Sequence, residues 1–210
     1  MTTVDPPRIL LDVPPGFTGL PLSADGQDNA RRVADFAEKA ARETGQKPGP
    51  VGEFLAGMVN GMLANNVRLF GKFAVGDEEP VLATLSMAIA PLSGDLAVLD
   101  GRRDALVESL LRLYREQHPR SDVKIVRLPI GPAVAAVVAG EYRLPGEVTG
   151  QLSESVRPVF RTEFQIPTPD GTQVILLSVS ADSGDGWPLI AERSVTIARS
   201  VRVEQGARAT

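Results

Sequence analysis

The chain has 210 residues, no cysteine, a single histidine and a formal net charge of -4. That excludes disulfide frameworks, thiolate metal sites and cysteine nucleophiles, and disfavours nucleic-acid binding, which needs concentrated positive charge to displace phosphate counterions. The hydrophobic share of 43% is globular, but only 5% is aromatic, so Ala, Val and Leu must fill the core.

In chain order, residues 1–7 carry neither the basic segment nor the apolar run of a secretory signal, and are expected to be disordered. No window reaches the roughly 20 uncharged apolar residues of a membrane helix, so no membrane insertion and a cytoplasmic location are expected. Arg8 to Val13 reads as a strand stopped by Pro14-Pro15-Gly16, with Phe17, Leu20 and Leu22 continuing as an irregular edge. Asp25 or Asp28 can cap a helix whose face is Ala30, Val33, Ala34, Ala37, Ala40 and Ala41. Beyond Pro48 the clearest helical period is Val51, Phe54, Leu55, Met58, Val59, Met62 and Leu63. Gly52, Gly57 and Gly61 share its other face. Each weakens the helix, so a second backbone is expected close against them, or a partial break.

Arg68 to Val75 and Val81 to Ala90 read as strands around an acidic hairpin tip, Asp77-Glu78-Glu79. A helix from Asp104 to His118 buries Leu106, Leu110, Leu113 and Tyr114, and Pro119 stops it. Strands follow at Val123 to Leu128, Ala133 to Tyr142, Val159 to Ile166 and Val174 to Ser180, with a mobile loop expected after Pro145-Gly146. The closing helix begins near Trp187 and turns Ile190, Ala191, Ser194, Ile197, Ala198 and Val201 inward. One α+β domain over residues 8–203 is expected. It has a mainly antiparallel sheet packed with helices, a helical elaboration over 25–63 and a flexible tail over 204–210.

The order Leu128-Pro129, Gly131-Pro132-Ala133-Val134, Phe164, Pro167, Pro169-Asp170-Gly171, Leu176 and Ser178, followed by an amphipathic helix, resembles a group of actinobacterial proteins. Those are similar to the PsbP-like and Ran-binding Mog families, so the resemblance implies an α/β/α sandwich around an antiparallel sheet. It also implies action by binding a protein partner. The helical section from Asp25 to Leu63 and the link from Asp182 to Trp187 depart from that pattern.

Catalytic signatures are missing at the level of residue type. His118, the only histidine, sits at a helix end where an imidazole suits the helix dipole. Asp182, Ser183 and Asp185 have the ingredients of a calcium loop without its spacing or closing Glu, and read as a turn. There is no phosphate-binding glycine loop, no dinucleotide fingerprint and no nucleophile elbow. No cofactor or metal is expected. The expected function is a non-catalytic binding or assembly module working through a protein partner or self-association. Its surface is drawn from Phe54, Met58 and Met62 on the second helix, Asp77, Glu78 and Glu79 at the hairpin tip, and Trp187. The alternative is a small-molecule binder or enzyme with an Asp, Glu, Arg and Tyr pocket beside the sheet.

Overall fold

The computed structural model describes residues 8–23, 26–44, 48–76, 78–92, 94, 96, 102–144 and 155–204. Asp25, Asp77, the loop after Pro145, the N-terminal seven residues and the tail from Gln205 lie outside them. The elements run β1 (Arg8–Leu10), β2 (Thr18–Pro21), α1 (Gly26–Thr44), α2 (Pro48–Ala64), β3 (Val67–Val75), β4 (Val81–Pro91) and α3 (Arg103–Gln117). Then come β5 (Asp122–Leu128), β6 (Gly131–Leu144), β7 (Ser155–Pro167), β8 (Gln173–Ala181), α4 (Trp187–Arg199) and β9 (Arg202–Glu204).

Seven strands form one sheet in the order β2-β3-β4-β8-β7-β6-β5, every neighbouring pair antiparallel. The fold is α+β, as the sequence leads one to expect. Successive side chains of a strand point to opposite faces, and both faces are apolar over part of the sheet. Phe73, Leu85, Leu177, Val179, Phe164 and Ala135 face Ile190, Ile197 and Ala198 of α4. One residue out of phase, Val123, Val134, Ala136 and Val174 face Leu106, Val107, Leu110 and Tyr114 of α3. Helices therefore cover both faces, α3 packing over β5, β6 and β7 and α4 over β7 and β8.

The α1–α2 hairpin joins the α3 side at the β2 edge. Val33 and Ala37 of α1 and Leu55 and Val59 of α2 pack with Leu20 and Leu22, ringed by Phe36, Met58, Met62 and Leu63. The apolar stripe of the second helix thus finds its partner inside the fold. Asn29 is buried, and its side-chain amide makes two bonds to the backbone of Ser23: the Ser23 N–H donates to Oδ1 at 2.8 Å and Nδ2 donates to the Ser23 carbonyl at 2.7 Å. This clamp sets the direction in which the chain enters α1.

Several expectations need correction. Of the expected α1 face Val33 and Ala37 are buried, but Ala30 and Ala34 are exposed and Phe36 is half-buried. In α3, Leu113 stays at the surface and Val107 goes in; at about 100° per residue Leu113 lies about 75° from the centre of the Leu106-Val107-Leu110-Tyr114 stripe. The last helix ends at Arg199, so Val201 is buried just beyond it. Arg202–Glu204 pairs antiparallel with Arg8–Leu10, tying the two ends of the described chain together. Glu204 is accordingly a strand residue.

Among the described residues no backbone lies against Gly52, Gly57 or Gly61 of α2. A Cβ at Gly57 or Gly61 would meet nothing within 4 Å, and one at Gly52 would touch only the Ala37 Cβ at 3.7 Å. The helix is nonetheless unbroken. Gly57→Ala and Gly61→Ala should each stabilise the protein by about 0.5–1 kcal/mol, because Ala restricts the unfolded chain and costs nothing in the folded one. Urea denaturation of the single and double variants checks this.

Candidate functional site

The site begins with a pair of glycines. Gly19 of β2 and Gly71 of β3 lie opposite each other in the register. A Cβ on Gly71 would come within 2.5 Å of the Phe17 Cζ and 2.6 Å of both the Gly19 Cα and the Thr18 carbonyl oxygen. The missing side chains let Phe17 lie flat over the two strands and seal the α4 side. On the opposite side, Leu20 and Phe70 face the α1–α2 hairpin without filling the space beneath it. What remains is a cavity of about 410 Å³, walled by Phe36, Leu55, Met58, Phe70, Ala74 and Leu82. Its size is that of a small-ligand pocket. Leu82, at its mouth, is 58% exposed.

The cavity opens onto a polar strip. Strand register runs one row across the sheet as Lys72, Thr84, Ser180 and Arg161, and the next as Phe70, Ser86, Ser178 and Glu163. Residues opposite one another in neighbouring strands share a face, so four hydroxyls lie between the apolar cavity and a charged cluster. Lys72 is exposed and itself lines the cavity. The cluster is Arg161, Glu163 and Tyr114: the Tyr114 hydroxyl donates to Glu163 Oε2 at 2.5 Å, and Arg161 Nε lies 2.7 Å from Glu163 Oε1 at an angle too poor for a hydrogen bond. Burial, reinforced by the bond to Glu163, pushes the Tyr114 phenol well above its ordinary range. A phenol held protonated by a carboxylate already engaged with arginine offers hydrogen bonds rather than a mobile proton at neutral pH.

Tyr114→Phe should cost about 2 kcal/mol at pH 7, the range for a hydrogen bond to a charged partner. The folded phenol titrates above the unfolded one, so this stability is complete below about pH 10 and declines by about 1.4 kcal/mol per pH unit beyond it. Wild type and variant should therefore converge in urea titrations at alkaline pH.

The expected partner surface is not one patch. Met58 lines the cavity and Met62 packs half-buried between α2 and its neighbours. The side chain of Phe54, like Asp77, lies outside the described residues, while Glu78 and Glu79 are exposed at the β3–β4 turn. Trp187 packs on the other face, its ring 5.7 Å from that of Phe160 and in contact with the α4-side core. The link before it is a turn in which the Asp185 N–H donates to Ser183 Oγ at 3.0 Å. His118 ends α3 with its ring 4.6 Å from Tyr114. Tyr114, Arg161 and Glu163, the residue types of the alternative reading, are brought together, but beside the cavity rather than in it. Phe36 escaped the sequence reading because it stands one position off the alanine stripe, and Lys72 because an exposed strand lysine carries no signal of its own. Among the described residues no three His, Asp or Glu side chains gather as a metal site.

These features define an α+β protein with a seven-stranded antiparallel sheet and an apolar cavity at one edge. No family model and no curated protein sequence matches the chain. Among solved structures it is similar to LpqN of Mycobacterium tuberculosis, a protein involved in cell envelope biogenesis, with 15% identity and a TM-score of 0.46 over 94% of this chain and 84% of that one. No described helix is long and apolar enough to cross a membrane.

Proposed function

We propose that this chain is a non-catalytic binding module and that its ligand is amphipathic, with an apolar portion in the cavity under α2 and an anionic or hydroxylated portion on the adjoining strip. The observation that carries this reading is the cavity of about 410 Å³ whose walls are apolar and whose mouth holds Lys72 beside a row of hydroxyls. Apolar walls supply affinity in proportion to the area removed from water, and the few polar groups at the rim set orientation. The protein-contact reading draws on the same α2 residues. Met58 turning into the cavity favours a ligand there over a flat docking face.

Titration calorimetry with straight-chain alkyl carboxylates of increasing length tests it. Affinity should rise about fourfold per methylene, the equivalent of about 0.8 kcal/mol, and level off once the cavity is full. Alkylammonium ions of equal length should bind more weakly, and Ala74→Trp, which narrows the mouth from an exposed position, should abolish the length dependence. Affinity independent of chain length, or untouched by Ala74→Trp, would sink the proposal.

A further inference from the structure

The far edge of the sheet is built differently from the edge that bears the cavity. The strand β5 is seven residues long and terminal in the strand order, and nothing among the described residues pairs with its outer side. It has no proline and no bulge, and its register with β6 runs unbroken from Asp122 to Leu128. The side chain of Arg115 reaches the Val123 carbonyl at a long 3.4 Å. Peptide groups alternate in direction along a strand, so those of Ile125 and Arg127 point the same outward way.

Two further features give this edge a partner chemistry. The strand carries Lys124 and Arg127 against the single carboxylate of Asp122, and Arg199 of α4 lies nearby. None of these three cations forms an ion pair among the described residues, although the chain as a whole is acidic. Alongside runs a groove of about 330 Å³ between α4 and the strands, with Val126, Val137 and Val195 in its walls and Lys124 and Arg199 on its rim. Val137 is 41% exposed and, on the other face, Ile125 is 42% exposed. Inside the groove Thr162, only 4% exposed, has a hydroxyl with no hydrogen-bond partner. Charged side chains on an edge can serve simply to block pairing. A gatekeeper needs no apolar groove beside it.

We propose that β5 is a peptide-docking edge, taking an extended acidic segment of another protein as an eighth strand of the sheet. The segment's backbone meets the outward peptide groups of Ile125 and Arg127. Its carboxylates meet Lys124 and Arg199 on one face and Arg127 on the other, and an apolar side chain enters the β5 end of the groove beside Val126. Backbone bonds supply the affinity in such strand addition, and charge and groove supply the choice of sequence.

A fluorescein-labelled peptide of repeated Glu-Glu-Val-Val, which puts both residue types on both faces of a strand, its Lys-Lys-Val-Val counterpart, and the glutamate peptide with alternate backbone nitrogens methylated provide the test. Anisotropy titrations should show the acidic peptide binding at least 10-fold more tightly than the basic one. Affinity should fall at least 10-fold with Lys124→Glu/Arg127→Glu and with the methylated peptide, and hydrogen exchange should slow at the β5 amides. No saturable binding to about 1 mM overturns the proposal, as does indifference to charge. Binding that ignores backbone methylation would reduce the edge to a charge patch and also overturn it. So would a dimer in light scattering whose β5 amides are already protected, since the occupant would then be a second copy.

Discussion

Replacing Arg103 by Ala is expected to destabilise the protein by about 3 kcal/mol. The guanidinium at the start of α3 donates through Nη1 to the Ile130 carbonyl and through Nη2 to the Pro167 carbonyl, both at 2.8 Å. It therefore fastens α3 to the β5–β6 turn and to the end of β7 at once. Burial lowers its pKa, with Asp104 pulling the other way, yet a guanidinium stays charged across the working range. Truncation strands two carbonyl acceptors and removes two charge-assisted bonds, each worth about 1.5–3 kcal/mol in comparable settings. The turn is shaped to this side chain: Gly131 has a φ of 137°, and a Cβ there would lie 2.5 Å from the Arg103 Nη1. At about 2–4 °C per kcal/mol for a domain of this size, Arg103→Ala should lower Tm by about 10 °C. Arg103→Lys should recover little, because one ammonium does not reproduce the fork that reaches two carbonyls. Thermal unfolding followed by circular dichroism measures both. A loss under 1 kcal/mol for Arg103→Ala would show that the two carbonyls find other partners.

Gly71→Ala is the second large effect, and it reaches the candidate site. The added methyl would meet the Phe17 ring at 2.5 Å and, at 2.6 Å, two backbone atoms of β2. A ring can rotate away, whereas paired backbone cannot, so the strands must part. Overpacking of this kind costs about 1–3 kcal/mol, and the backbone contact places Gly71→Ala at the upper end. Because β2 and β3 also wall the cavity, alkyl carboxylate affinity should fall at least 10-fold. Adding Phe17→Ala relieves only the ring, so the double variant should remain defective in binding. Urea denaturation and calorimetry on the same samples separate lost stability from lost binding.

The fold was legible wherever chemistry is local. Gly76, Gly171 and Asn66, all at positive φ, sit where the chain turns, and the strand and helix periods around them point to the observed elements. Thr168 and Asp170 close the Pro167 to Gly171 turn with side-chain bonds, including the Thr172 N–H donating to Asp170 Oδ1 at 3.2 Å. The site was much less legible. Lys72, Thr84, Ser180 and Arg161 come from four strands spread over 108 positions, and only the antiparallel register sets them in one row. The glycines of α2 suggested a neighbour by their helix cost, but space around a residue depends on what the remainder of the chain places there.

Alternation of apolar residues, turn chemistry and the lack of cysteine and of a second histidine are properties of the sequence by itself, and they determined an antiparallel α+β protein without cysteine or multi-histidine chemistry. Tertiary structure decided which helix covers which face, that Met58 lines a cavity, that Arg103 is a fastening and that β5 has no outer partner among the described residues. The physical reason is range. Backbone propensity and side-chain period act over a few residues, whereas cavities, rows across a sheet and free edges are made by elements far apart in the chain.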